Sequence, residues 1–245
     1  MNLSLTNEDI SNRETKTIQD TRILEETEEL TYEILTLKDK EEAKNLVAIC
    51  FIDEPLTKLI SSQIKKVTLT DFHEFIEFYL DEVCLNNLSV IAREKTTKKI
   101  VGVCFNMENN YLDSKPKGDF NAEIIFEPII ALIYYAWEIA YKTHPHLALN
   151  DTAIDIFQLA LHPEWRGKKI SNQLVYYSIQ LIKNSGFKYA VCEATSFFTK
   201  KIMEKFNFEC IYKQDVRYFE YNGKLIFKDQ QPPHEEFTLW LMKFD

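Results

Sequence analysis

Arg166, Gly167, Lys168 and Lys169 stand together at one junction, where the apolar run AIDIFQLA (153–160) passes through LHPEWRGKKIS into the amphipathic stretch SNQLVYYSIQLIKNSG. The apolar run predicts a strand, and Ile170, Leu174, Tyr177 and Leu181 predict one face of a helix. The first turn of a helix presents unpaired N–H groups and a partial positive charge. An anion docks there most readily where a small residue lets it reach the backbone. The chain has five glycines, and one of them, Gly167, sits at this mouth among three cations; a phosphate is the anion such a turn would suit. Pro163 lacks an N–H and discourages strand pairing beyond it. Taken alone, the turn is explained more simply as a strand-to-helix connection with solvated lysines.

A second candidate lies at Asp53-Glu54-Pro55-Leu56. A carboxylate here can serve as a general base. The same residues also read as a helix start, with Asp53 as cap and Pro55 in the first turn. The two readings are compatible, because Pro55 would fix where Glu54 points. Thr195 and Thr199, in ATSFFTKKIMEK, offer two hydroxyls. By themselves they read as structural: Thr195 or Ser196 caps the helix that follows, and Thr199 bonds a carbonyl within it. His162 reads as a turn residue, His144 and His146 as surface loop, Cys192 as a buried structural thiol, and Phe72, Phe75, Ile76 and Tyr79 as a core stripe.

The elements that must position these groups follow from periodicity and turn chemistry. LTYEILTL (30–37) alternates as a strand, DKEEAKNLVAICF (39–51) and DFHEFIEFYLDEVC (71–84) have helical spacing, and IDEPL is a short break between them. LSVIARE and KIVGVCFNME form a hairpin across KTTK. NNYLDSKPKGDFN (109–121) is a loop, and EPIIALIYYAWEIAYKTH (127–144) a helix with Pro128 in its first turn. After the junction come a helix over 169–185 closed by Gly186, the strand FKYAVCEA, the helix 196–206 and a long strand over 208–219. An Asn-Gly turn in YNGK and the strand FTLWLMKF close the chain. The pattern predicts an α/β fold with a mixed central sheet, in which hairpins flank a parallel β-α-β unit at 153–194.

The order of strand, H-P-x-[aromatic]-R-G-K-x-I-x, helix, N-x-G and strand resembles the GNAT acetyltransferases. Their cofactor loop follows Arg/Gln-x-x-Gly-x-Gly/Ala: Arg166 fits the first position, while Lys169 and Ser171 depart from the second and third. TKKIMEKFNFE is similar to the family's E-K-x-G-F ending, with Asn207 for the glycine, and Asn tolerates left-handed backbone better than most residues. The resemblance spans about residues 30 to 243. It implies a mixed sheet with helices on both faces, and acetyl-CoA as co-substrate. The pyrophosphate would lie on N–H groups of Arg166, Gly167, Lys168, Lys169, Ile170 and Ser171. The pantetheine arm would pair with the backbone of Gln158, Leu159, Ala160 and Leu161 as an added strand. DEPL resembles, more narrowly, a motif of the insect-type arylalkylamine (dopamine) N-acetyltransferases. That likeness implies Glu54 as catalytic base, and Thr195 and Thr199 at the positions of two assisting serines. A tyrosine acid used by other branches is replaced by Met203.

A formal net charge of −9 argues against a general nucleic-acid binder and weakly favours cationic substrates. Five dispersed cysteines with no CxxC pair and no Cys/His cluster argue against zinc and for a reducing compartment. The most apolar run, 124–140, is interrupted by Glu127, Pro128 and Glu138 and is too short to cross a bilayer. The reading is a cytoplasmic protein with an acidic, flexible leader over 1–29, a catalytic domain over 30–245, no metal and no membrane, acting on a small primary amine, with arylalkylamines among the candidates. Its rival is a non-catalytic module of the same fold that binds CoA or a protein partner, motivated by the departures at Lys169, Ser171 and Asn207 and by threonines in place of serines. Oligomeric state is left open.

Overall fold

The computed structural model describes residues 22–109, 121–148 and 153–244. The strands are β1 (Ile23–Glu26), β2 (Leu30–Ile34), β3 (Val90–Glu94), β4 (Ile100–Glu108), β5 (Ala153–Leu161), β6 (Tyr189–Ala194), β7 (Glu209–Asp215) and β8 (Glu236–Lys243). The helices are α1 (Lys40–Phe51), α2 (Pro55–Gln63), α3 (Leu69–Leu85), α4 (Asn121–Thr143), α5 (Ile170–Asn184) and α6 (Phe197–Lys205). One mixed sheet runs β1-β2-β3-β4-β5-β6-β8-β7, antiparallel throughout except for β5 against β6.

Strand alternation sends apolar side chains to both faces, and each face has its own core. Helices α1 to α4 cover one face through Val47, Ile60, Ile76, Leu132 and Trp137. Helices α5 and α6 cover the other through Ile170, Leu174, Ile179 and Met203. Gly102 on β4 lets α5 approach closely: a Cβ there would meet Leu174 Cδ1 at 2.9 Å and Leu161 Cδ1 at 3.1 Å. Among the described residues, no helix is long and apolar enough to cross a membrane.

Four expectations change. The segment read as leader overlaps the sheet, since Ile23–Glu26 pairs with β2 and Arg22 bonds Ile34 and Asp39; residues 1–21 lie outside the described residues, as does most of the 109–121 loop. The helix start read at DEPL is present, with Pro55 opening a nine-residue helix. Helix α4 begins before Pro128, which therefore lies inside it. Burial of Ile125 and Phe126 carries the apolar face across the proline, offsetting a penalty of about 3 kcal/mol. The long strand over 208–219 stops at Asp215, whose carboxylate accepts from the Arg217 N–H at 3.0 Å and starts a short 3-10 turn. The Asn222-Gly223 turn exists, with φ of 49° and 74°, but it closes an isolated bridge between Tyr221 and Lys224 rather than joining β7 to β8.

Candidate functional site

Strands β5 and β6 pair only over Ala153–Asp155 and Tyr189–Val191, then part. Phe157 contributes to the parting. Phe105 pairs with Gln158 and Asn106 with Ile156, so Phe157 is an extra residue that bends β5. Beyond the fork, one edge of Gln158 to Leu161 has no strand beside it among the described residues, and apart from the Leu161 carbonyl, which accepts from the Cys50 thiol, its outward backbone groups are available to an extended ligand. Gln158 is fixed from the other direction: its side chain is buried and accepts from the Tyr79 hydroxyl at 2.6 Å.

The fork opens onto the basic turn. His162 donates its N–H to Val101, a 3-10 turn spans Pro163–Trp165, and Arg166 donates to Pro163 at 3.2 Å. The next N–H in the turn with a backbone acceptor, among the described residues, is that of Asn172. Gly167 to Ser171 thus presents a run of free donors at the start of α5. Gly167 has φ +80°, and a Cβ there would meet nothing within 4 Å, so the space above its backbone is open. Lys169 is the N-cap of α5 and occupies the left-handed region at φ 63°. A side chain there costs roughly 1–2 kcal/mol, so lysine does adopt the conformation that a glycine would have reached freely. Lys168 turns away: its ammonium lies 4.1 Å from the Trp165 ring centroid and 3.5 Å from a Glu29 oxygen.

Glu54 is the N-cap of α2. Its Oε2 accepts from Leu56 at 2.8 Å and Thr57 at 3.1 Å, with Pro55 at the first helical position. Asp53, expected as the cap, is exposed and pairs with Lys58 at 3.0 Å. The reason is geometric: the cap must precede the proline directly for its carboxylate to reach the N–H groups of the second and third helical residues. With Oε2 so held, Oε1 is buried and has no hydrogen-bond partner among the described residues. Burial raises the affinity of Glu54 for a proton above that of an ordinary carboxyl, outweighing the helix N–H groups and the Thr195 and Thr57 hydroxyls.

Ser196 caps α6 by accepting from the Phe198 N–H at 3.1 Å, and His234 Nδ1 accepts from the Phe197 N–H at 3.2 Å. Those caps free Thr195 from that duty and leave its side chain beside Glu54. Burial lowers the proton affinity of His234, and because Nδ1 accepts, the neutral ring carries its proton on Nε2. A single cavity of about 830 Å³ joins these parts. It is lined by Glu54, Gln158 to Leu161, Arg166, Gly167, Lys169, Ser171, Thr195 and Thr199. Its far wall is apolar: Phe72, Phe75, Phe126, Ile130 and Ile133.

No family profile and no curated sequence matches the chain. Solved structures do. Arylalkylamine N-acetyltransferase 2 from Aedes aegypti superposes with a TM-score of 0.71 at 20% identity, covering 88% of this chain and 99% of that one. A mosquito arylalkylamine N-acetyltransferase like 5b gives 0.69 at 18%, over 88% and 100%. A Drosophila melanogaster polyamine N-acetyltransferase, which forms N-acetylagmatine, gives 0.68 at 15%, over 88% and 100%. The fold is that of the GNAT acetyltransferases.

Within this GNAT fold, eleven of the thirteen anticipated site residues line the one cavity. Lys168 does not, being held by Trp165 and Glu29, and neither does Ile170, which packs in the α5 core at 2% exposure. Sequence reasoning passed over Asn172, Phe126, Ile130, Ile133, Glu193 and His234, all on the cavity wall. Helical spacing could have grouped Phe126, Ile130 and Ile133. Nothing local marks His234, which arrives from the irregular segment before β8. Of the core stripe, Phe72 and Phe75 reach the cavity, while Ile76 and Tyr79 stay buried behind it.

Proposed function

We propose that the protein transfers an acetyl group from acetyl-CoA to a small primary amine, and that arylalkylamines are within its range. The observation that carries this reading is a desolvated carboxylate, with one oxygen unpartnered, on the same cavity as an anion-ready helix start and an unpaired strand edge. The free donors of Gly167 to Ser171 fit a pyrophosphate, with Arg166 adding charge. The open edge of Gln158 to Leu161 fits an amide-bearing arm, and the apolar wall fits an aryl or alkyl group. The solved neighbours named for amine N-acetylation support the general reaction.

In this reading, the amine nitrogen attacks the thioester carbon, the C–N bond forms and the C–S bond breaks. Glu54 Oε1 takes the proton that nitrogen loses. The raised proton affinity brings this carboxylate nearer to working pH as a base. A free N–H of the splayed strand stabilises the oxyanion, and the departing sulfur takes a proton through the Thr199 hydroxyl. Thr195, beside Glu54, orients the base. No covalent enzyme intermediate is required.

Glu54→Gln tests this directly. The amide oxygen can still accept from Leu56 and Thr57, so the helix start survives, but the base is gone. The expected result is a fall in kcat/KM of roughly 10²–10⁴-fold, unchanged CoA affinity by calorimetry, and partial rescue at high pH, where more free amine is present. Asp53→Asn, on an exposed side chain, should change little. Full activity in Glu54→Gln would remove Glu54 as base. Tight CoA binding by the wild type with no turnover of any amine would establish the binding-module reading instead.

A further inference from the structure

The proposed mechanism uses the backbone of Gln158 and leaves its side chain without a role. Gln158 is buried and lines the cavity. Its Oε1 accepts from the Tyr79 hydroxyl at 2.6 Å. Its amide nitrogen has no hydrogen-bond partner among the described residues. Unlike Glu54 Oε1, that nitrogen is not one of the sealed, unpartnered polar atoms. What the side chain offers to the cavity is therefore a pair of N–H donors. Tyr79 holds the carboxamide in place. Its own ring is fixed edge-on against Phe75, with centroids 5.7 Å apart, and against Phe157, at 4.9 Å. Burial pushes the Tyr79 hydroxyl well above the ordinary 10, so it keeps the proton that it donates to Oε1.

The direction of the open edge says what this donor would meet. The edge runs from Leu161, next to the basic turn, back to Gln158 at the fork, a span of about 10 Å over three residues. On the acetyltransferase reading, the pyrophosphate lies at the turn and the arm follows the edge, so the thioester end arrives at the fork, beside Gln158. Tyr79 on α3 and Leu56 and Ile60 on α2 belong to the same core, on one face of the sheet. The Gln158 side chain thus enters the cavity from the face on which Glu54 opens α2. From this placement we infer that the Gln158 carboxamide donates to the thioester oxygen and, with the strand N–H, supplies a second donor to the oxyanion, with Tyr79 as its positioning residue. The inference rests on the acetyltransferase reading and deepens it. As the amine nitrogen attacks, an electron pair of the carbonyl moves onto oxygen, and it returns as the C–S bond breaks. The carboxamide gives a hydrogen bond throughout and transfers no proton. It is a neutral donor held in position before the charge develops, which is what stabilises an oxyanion.

Gln158→Met and Gln158→Glu test the donor, and Tyr79→Phe tests its anchor. Methionine keeps the length without an N–H. An ionised glutamate keeps the shape and can still accept from Tyr79, but it donates nothing. Single turnovers of phenethylamine, or of the fastest amine in a panel, are followed at saturating amine by loss of acetyl-CoA. Their rate constant does not depend on how much of the enzyme is folded, so a purely structural Tyr79–Gln158 contact would leave it alone. Both Gln158 variants should slow acetyl transfer by roughly 10²-fold, the scale of one oxyanion donor. The amine concentration at half-maximal rate and the CoA affinity by calorimetry should stay unchanged. Tyr79→Phe keeps the ring and loses one hydrogen bond, and should slow the same step by about tenfold. A wild-type rate constant in either Gln158 variant overturns the inference and leaves the acetyltransferase reading standing. A loss confined to CoA affinity overturns it too, because the carboxamide would then hold the arm. If neither Gln158 variant folds, Tyr79→Phe decides, and an unchanged rate constant there overturns the inference. A wild type that acetylates no amine overturns both.

Discussion

At the scale of single residues, Glu54 combines two duties in one carboxylate. Oε2 caps α2, while Oε1 is buried without a hydrogen-bond partner among the described residues, on a residue that lines the cavity. The second duty costs stability, and its sign is testable. Burial raises the folded-state pKa above the ordinary 4.5, so the folded protein binds this proton more tightly than the unfolded chain. That favourable contribution is complete below 4.5 and is lost as pH rises through the raised value. Gln at this position does not titrate. Melting of wild type and Glu54→Gln across pH should therefore show the wild type losing ground as pH rises, with the variant at least as stable near neutrality. A wild type that gains on the variant with rising pH would mean that partners of the carboxylate outweigh its desolvation.

At the scale of elements, the site depends on how β4, β5 and α5 meet. Gly102 is the point of closest approach, with Leu174 from α5 and Leu161 from the end of β5 pressing on it. Leu161 also receives the Cys50 thiol at 3.3 Å on its carbonyl and lines the cavity. Gly102→Val should overpack this junction and destabilise by about 1–3 kcal/mol. It should also weaken CoA binding, because the displaced side chain belongs to the edge offered to the ligand. Urea unfolding and calorimetry read the two effects separately. Stability lost with CoA affinity intact would uncouple the junction from the site. By contrast, Gly167 has open space where a Cβ would go. Gly167→Val should spare the core and act mainly on CoA affinity, by filling that space and straining a left-handed turn.

At the scale of the whole molecule, the first strand is tied to the body by charge. Arg22 reaches Asp39 and Glu33, and Arg93 reaches Asp39, Glu33 and Glu42. Burial pushes the Asp39 carboxyl up, but Arg22 and Thr36 together outweigh it and hold it below the ordinary 3.8. Truncation through residue 29 removes β1 and Arg22. It should destabilise by on the order of 1–3 kcal/mol, the cost of leaving a buried charge short of a partner, with Arg22→Ala reproducing part of it. An unchanged melting temperature for the truncated chain would show that the network contributes nothing.

Local chemistry made much of this legible in the sequence. Strand and helix periods, the proline after Glu54, the glycine at the basic turn and Asn207 in left-handed backbone, at φ 58°, are each decided within a few residues, and so is the order of elements. What local chemistry could not decide were contests between distant groups. Lys168 reads as an anion ligand until Trp165 and Glu29 claim it. Asp53 reads as the cap until the helix geometry gives that duty to Glu54 and leaves Asp53 exposed. Residues 22–26 look like part of a polar leader until Asp39 and β2 supply their partners. Glu193 and His234 join the site only because β6, α4 and the segment before β8 converge in space. Charge pairing and burial are properties of neighbours, and for these residues the neighbours lie tens of positions away in the chain.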